Sequence, residues 1–185
     1  NCKPIFVIGF FFALYYRIDS MKQPIGIFDS GIGGLTVARG IRTLLPAEDL
    51  IYFGDTKHLP YGEKSAESII NYSLRIADFL LENRVKAIVI ACNSASAVAT
   101  KAVQKHVGDK IPVVNVIDPM VNLICQGYKE KKVTVIGTKL TINSKVYSNR
   151  IQSRCPSLEI NEVATPLLAA MIEEGFVNDE VSATV

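Results

Sequence analysis

The side chains able to do soft nucleophilic or metal chemistry are few: Cys2, Cys92, Cys125, Cys155, His58 and His106. Only Cys92 follows an apolar run and precedes small polar residues, in Ala87-Ile88-Val89-Ile90-Ala91-Cys92-Asn93-Ser94-Ala95-Ser96. The thiolate is the reactive form of cysteine, and backbone N–H groups at a helix N-terminus favour it. The stretch supplies that setting if Ala87 to Ala91 is a strand buried on both faces and a helix through Val107 follows, capped by Asn93, Ser94 or Ser96. We therefore place the chemistry at Cys92, beside the plainer alternative of a buried cysteine acting as a small hydrophobe. The remaining cysteines are far apart and form no C-x-x-C pair. They define neither a zinc site nor a disulfide framework, and reduced thiols in a cytosolic protein fit best. Cys125, at helical spacing among apolar residues, reads as packing.

A second cluster is Asp29-Ser30-Gly31-Ile32-Gly33-Gly34, a glycine-rich turn after the apolar stretch Pro24 to Phe28. It is not a dinucleotide fingerprint, because Thr36 stands where a glycine is required, and it lacks the Gly-Lys of a P-loop. What remains is a tight strand-to-helix turn that either lets a ligand approach the backbone or serves structure alone. A third cluster, Gly54-Asp55-Thr56 with His58, Pro60, Tyr61 and Gly62, again lies just past a strand, Leu50 to Phe53.

Those clusters need elements to hold them. The first turn leads into a helix whose apolar stripe is Leu35, Val37, Ala38, Ile41, Leu44 and Leu45, stopped by Pro46. Ser65 is the expected N-cap of a helix over residues 66–83. Further strands are expected at residues 112–116, 133–136 and 158–163, and helices from after Ile117-Asp118-Pro119 to about Gln126, from about Ile142 to Arg154 and from about Pro166 to Glu174. Alternation of strand and helix implies a parallel α/β sheet with right-handed crossovers. Ligands of such sheets bind beyond the carboxyl ends of the strands, where Asp29, Tyr61, Cys92 and Thr138 all fall.

Bulk properties narrow the function further. Twenty basic and eighteen acidic residues are spread along the chain without a like-charge run, so nucleic acid is not an implied partner. Pro4 to Tyr16 is strongly apolar but too short to span a bilayer, which takes about 20 residues. Its single Lys3 and the lack of an A-x-A site argue against a signal peptide. We expect Met21 to begin the native domain and residues 1–20 to be upstream, non-native sequence; a membrane or partner anchor is the alternative.

Four ordered segments carry a resemblance: Asp29-Ser30-Gly31-Ile32-Gly33-Gly34-Leu35-Thr36, Gly54-Asp55-Thr56 with Pro60-Tyr61-Gly62, Ala91-Cys92-Asn93-Ser94-Ala95-Ser96, and Gly137-Thr138 with Thr141. Over residues 24 to about 175 the chain resembles the glutamate racemases of the aspartate/glutamate racemase superfamily. The resemblance implies a Rossmann-like α/β sandwich of two pseudo-equivalent domains, here 22–117 and an incomplete second domain over 118–185. It implies a cofactor-independent isomerase, cytoplasmic and homodimeric at full length, that makes D-glutamate for peptidoglycan and has no membrane or metal requirement. It assigns proton transfer to Cys92, and binding of the amino acid's carboxylates and ammonium to Asp29, Ser30, Tyr61, Gly62, Asn93 and Ser94. Ser94 stands where the family usually has threonine. The family's second base lies in a Gly-Cys-Thr-His segment, which these 185 residues do not contain. The expectation is thus a truncated racemase that does not itself racemise. The alternatives are a non-catalytic protein that binds a ligand or partner, and a superfamily enzyme working with one cysteine.

Overall fold

The computed structural model describes residues 22–127, 132–173 and 175. The expectations for residues 1–20 lie outside them. Four parallel strands form one sheet in the order β2-β1-β3-β4: β1 Ile25–Asp29, β2 Leu50–Gly54, β3 Ala87–Ile90 and β4 Val113–Asn115. A second, two-stranded parallel sheet pairs β5 Lys132–Gly137 with β6 Glu159–Ala164. The expected strands all form, with ends shifted by at most one residue.

The first sheet is covered on both faces, as its uncharged β1 and β3 require. Ile25 and Ile27 of β1 and Ala87, Val89 and Ala91 point to one side, against Ile41 of α1 (Leu35–Leu44). Phe28, Ile88 and Ile90 point to the other, against Ile69, Ile76 and Leu80 of α2 (Ala66–Glu82) and Val103 and Val107 of α4 (Thr100–Val107). This period of two produces a three-layer α/β sandwich. Ser65 caps α2 as expected, its hydroxyl accepting the Ser68 N–H at 3.1 Å.

Register then aligns the functional clusters. Asp29 pairs with Gly54, Phe28 with Ile90, and Ile90 with Asn115, so the carboxyl ends of all four strands fall on one edge. Parallel pairing permits no other placement for the turns that follow β1, β2 and β3.

Three local expectations fail. Leu35, the first residue of α1 after its Gly34 N-cap, is exposed and takes no part in the helix's buried stripe. The long helix after Cys92 is two helices, α3 (Asn93–Val98) and α4, meeting at Ala99. The helix expected from Ile142 to Arg154 is likewise split into α6 (Lys139–Asn143) and α7 (Val146–Arg154), because Lys145 adopts a left-handed conformation with φ 56°.

The cysteine expectation also needs correction. Cys125 on α5 (Ile117–Gly127) and Cys155 at the end of α7 are bonded to each other, with Cα atoms 5.8 Å apart. Their pairing follows from the packing of α5 along α7, where Ile117, Val121, Ile124, Tyr147 and Ile151 share a core. A separation of 30 residues conceals this in the sequence.

Candidate active site

Cys92 is the N-cap of α3, a place expected for Asn93, Ser94 or Ser96. Its sulfur accepts the Ala95 N–H at 3.4 Å, and its thiol donates to Ser30 Oγ at 3.5 Å. Among the described residues it is the free cysteine, and it is only 5% exposed. The sequence expectation of a favoured thiolate is reversed here. Burial, and next the Asp29 charge, push the thiol from its ordinary 9.0 up to about 11, against the smaller lowering effects of the Ala95 N–H and Ser30. A short helix N-terminus does not outweigh a dry site with a like charge beside it.

Asp29 is held by its own turn. Its Oδ2 accepts the N–H groups of Gly31 at 3.2 Å and Gly34 at 2.9 Å, and its backbone carbonyl accepts the Asp55 N–H. A Cβ on Gly34 would lie 2.6 Å from the Asp29 Cβ and 2.9 Å from the Ala91 Cβ, so the turn needs glycine there because space is lacking. This gives the glycine-rich segment its reason: it lets two backbone donors grip a carboxylate at the end of β1.

Asp55 is a site residue that the sequence reading quoted without a role. Its buried carboxylate accepts the Tyr61 hydroxyl at 2.6 Å and faces His58 Nδ1 at 2.8 Å, while the His58 ring stacks on Tyr72 at 4.0 Å. Tyr61 is accordingly buried, and burial followed by its bond to Asp55 pushes its phenol above the usual range. The hydroxyl assigned to ligand binding is thus engaged within the protein. What Tyr61 and Gly62 can offer a ligand is backbone, in the 3-10 turn Tyr61–Glu63. Gly62 is packed so closely on Thr138 that a Cβ would meet its Cβ at 2.5 Å.

Ser94 is also turned inward. Its Oγ lies 3.1 Å from Thr138 Oγ1 and 3.4 Å from Thr141 Oγ1, and those two threonines lie 3.1 Å apart. This hydroxyl triad joins α3 to α6, with Thr138 also capping α6. Asn93 is exposed, and its Oδ1 accepts the Tyr147 hydroxyl at 2.8 Å. A cavity of about 440 Å³ lies beside it, lined by Asn93, Thr138, Thr141, Tyr147 and residues of β5. Its lining does not include Asp29 or Cys92, so this cavity adjoins the thiol site without covering it.

The structure therefore brings Asp29, Ser30 and Cys92 together, packs Tyr61 in the core cluster that holds Cys92, and sets Gly62, Asn93 and Ser94 on the α6 and α7 side. Sequence reasoning missed Asp55, which a quoted motif contained, and Tyr147, which no local pattern marks. Among the described residues no group of three or more His, Cys, Asp or Glu side chains could hold a metal. No helix there is long and apolar enough to cross a membrane.

Comparison with known proteins identifies the family of the chain. The chain is 44% identical over 161 residues to the glutamate racemase of Neisseria meningitidis, covering 87% of this chain and 59% of that protein. It is 47% identical over 160 residues to the glutamate racemase of Geobacter metallireducens, covering 86% and 58%. The crystal structure of the Francisella tularensis glutamate racemase in complex with D-glutamate superposes with a TM-score of 0.81 at 43% identity, over 87% of this chain and 60% of that one. The chain thus spans about three fifths of the length of the relatives it matches. The sequence model of the Asp/Glu/Hydantoin racemase family matches residues 25–185, from the first strand of the sheet onward, and the chain belongs to that family.

Proposed function

We propose that this chain is the ligand-binding and first proton-transferring portion of a glutamate racemase. The observation that carries the reading is the Cys92 thiol at the end of the central strand β3, between the Ser30 hydroxyl and the Ala95 N–H, with the Asp29 charge acting on it.

An amino acid's α-proton is very weakly acidic, so its removal requires a base already in line and donors for the charge that develops on the carboxylate. In our reading the substrate ammonium pairs with Asp29 and Ser30. That cation offsets the Asp29 charge, the second of the two causes holding the thiol protonated, and so favours the thiolate only when substrate is bound. Cys92 then takes the α-proton. Asn93 and the backbone of Tyr61 and Gly62 take carboxylate oxygens, and Ser94 keeps α3 against Thr138 and Thr141. No cofactor enters this scheme.

Inversion needs a proton delivered to the opposite face. Cys125 and Cys155 are bonded to each other and cannot serve. In a chain completed by a Gly-Cys-Thr-His segment, the reaction would run in both directions and supply D-glutamate for peptidoglycan. Residues 22–117 and 118–185 are then parts of two domains of a cytoplasmic homodimer.

The 185-residue chain should exchange the α-hydrogen of D-glutamate with solvent and not invert it. The test incubates each enantiomer in deuterated buffer while following the α-proton signal and optical rotation. The expected result is loss of the D-glutamate signal with rotation retained, stopped by Cys92→Ala. Loss of rotation that also stops with Cys92→Ala would demonstrate a second base within these residues. Binding without exchange would support a non-catalytic binding protein.

A further inference from the structure

Tyr147 lies on α7, far along the chain from Cys92, yet its hydroxyl meets the first residue after that cysteine. The bond to Asn93 Oδ1, at 2.8 Å across 54 residues, is the hydroxyl's one hydrogen bond among the described residues. The Tyr147 ring is buried with Ile117, Val121 and Ile151, so the phenol is anchored from behind. Asn93 is exposed and lines the 440 Å³ cavity. One side of the contact is thus rigid protein and the other faces ligand space.

We propose that Tyr147 is a positioning residue that fixes the Asn93 carboxamide with its Nδ2 hydrogens toward the ligand, making Asn93 a carboxylate-binding donor. A carboxamide has two orientations that differ only in which end is donor and which acceptor. A phenol has one hydrogen. If the amide were reversed, Nδ2 would donate to the phenol oxygen, and the phenol's own hydrogen would have no acceptor among the described residues in this part-buried contact. Leaving such a donor unmet costs about 1–3 kcal/mol. Burial also pushes the phenol up to about 12, so it remains an O–H donor throughout the neutral range.

The chemical consequence is a sorting of charge. Asn93 presents only N–H groups to the ligand and so selects a carboxylate. An ammonium offers only donors and needs an acceptor, which Asp29 provides beside Cys92. Two residues on different turns thus orient an amino acid end to end across the thiol, and Tyr147 sets the sign of one of them. This use of the fixed amide rests on the functional reading above, but the fixing itself does not.

The experiment uses the 185-residue chain labelled with 15N, with the Asn93 side-chain pair identified by its loss in Asn93→Ala. Tyr147→Phe keeps the ring and removes the hydroxyl. It should displace the Asn93 pair while leaving the dispersion of the backbone spectrum intact. An Asn93 pair unmoved by Tyr147→Phe overturns the proposal whether or not any ligand binds.

D-glutamate titration supplies the second arm. Tyr147→Phe should weaken binding about 5- to 30-fold, the equivalent of one or two kcal/mol. In an Asn93→Ala background the same change should add less than about twofold, because the two act as one unit. Additive losses would mean that Tyr147 acts through general packing, and would overturn the proposal. Asn93→Asp retains an acceptor for Tyr147 and removes the donors, so it should bind D-glutamate more weakly than Asn93→Ala does; binding as tight as the parent's would overturn the donor assignment. A parent chain that ignores D-glutamate while its Asn93 pair moves in Tyr147→Phe would overturn the functional reading and uphold the positioning role.

Discussion

The two sheets of this molecule are built from similar parallel strand–helix units and are covered very differently. Every residue of β1 and β3 is buried, with helices on both faces. In β5 and β6 half-buried and exposed positions alternate: Val133, Val135 and Ile160 face α5 and α7, while Ile136 is 58% exposed and Val163 42% exposed on the other side. Parallel sheets are ordinarily buried on both faces. The four-stranded sheet thus has what it needs to hold a reactive group rigidly, and among the described residues the two-stranded sheet has half of it. The division of labour follows. Asp29 and Cys92 belong to the doubly covered region, whereas Thr138, Thr141 and Tyr147 of the other region meet Gly62 and the residues just after Cys92.

The largest expected effect tests whether chemistry is confined to the first region. Cys92→Ser should lower α-hydrogen exchange of D-glutamate by about 10²–10⁴-fold, the worth of a positioned general base, while leaving binding largely unchanged. Exchange within tenfold of the parent would remove Cys92 from the mechanism and dissolve the functional contrast.

The structural contrast can be measured with two isoleucines. Ile88→Ala, at a fully buried position of β3, should cost about 2–5 kcal/mol in urea denaturation. Ile136→Ala, on the bare face of β5, should fall within about 0.5 kcal/mol of the parent. Equal losses would mean that the β5–β6 face is covered in solution.

The sequence disclosed the two regions unequally, for the same physical reason. Runs such as Ile88-Val89-Ile90 with no charge have one stable placement, inside a covered parallel sheet, so strands, order of motifs and the edge carrying Asp29 and Cys92 were all readable. The charge state of Cys92 was not, because it is set by dryness and by Asp29, which the chain brings close from more than sixty residues away. Nor were the inward turn of Ser94, the capture of the Tyr61 hydroxyl by Asp55, or the Cys125–Cys155 bond. Each depends on a partner in another element, and sequence spacing carries no record of it. Tyr147 is the extreme case, an aromatic residue on a short helix whose value lies wholly in the contact with Asn93.

Alkaline pH should expose the first region's dependence on its buried thiol. Cys92 rises from 9.0 to about 11 on folding, so between those values the unfolded chain releases a proton that the native chain retains. A group with a raised native pKa stabilises the fold below its unfolded value and loses that contribution as pH climbs through the native one. The shift of about two pKa units corresponds to roughly 2–3 kcal/mol lost between pH 9 and 11. Tyr61 and Tyr147 are raised as well and add losses from about pH 10 upward. Denaturation midpoints measured at pH 8, 9, 10 and 11 should therefore fall, and Cys92→Ala should flatten the part of the fall that begins at pH 9. An unchanged slope in that variant would place the alkaline sensitivity elsewhere.

The smallest effect compares the helix caps of the two regions. Ser65 caps α2 at the surface, where its hydroxyl meets Ser68 and, among the described residues, nothing outside the first turn. Ser65→Ala should cost about 1 kcal/mol, the ordinary value of an N-cap, and leave ligand binding alone. Thr138 caps α6 and also joins the triad with Ser94 and Thr141, so one hydroxyl serves both a helix and the junction between the regions. Thr138→Val keeps the shape, removes the cap, and leaves Ser94 Oγ with only the longer contact to Thr141 in a buried place. Its loss should exceed that of Ser65→Ala and weaken D-glutamate binding through the displaced α3. Equal costs with unaltered binding would show that the triad is a local cap, and that the two regions meet at Asn93 and Tyr147 without its help.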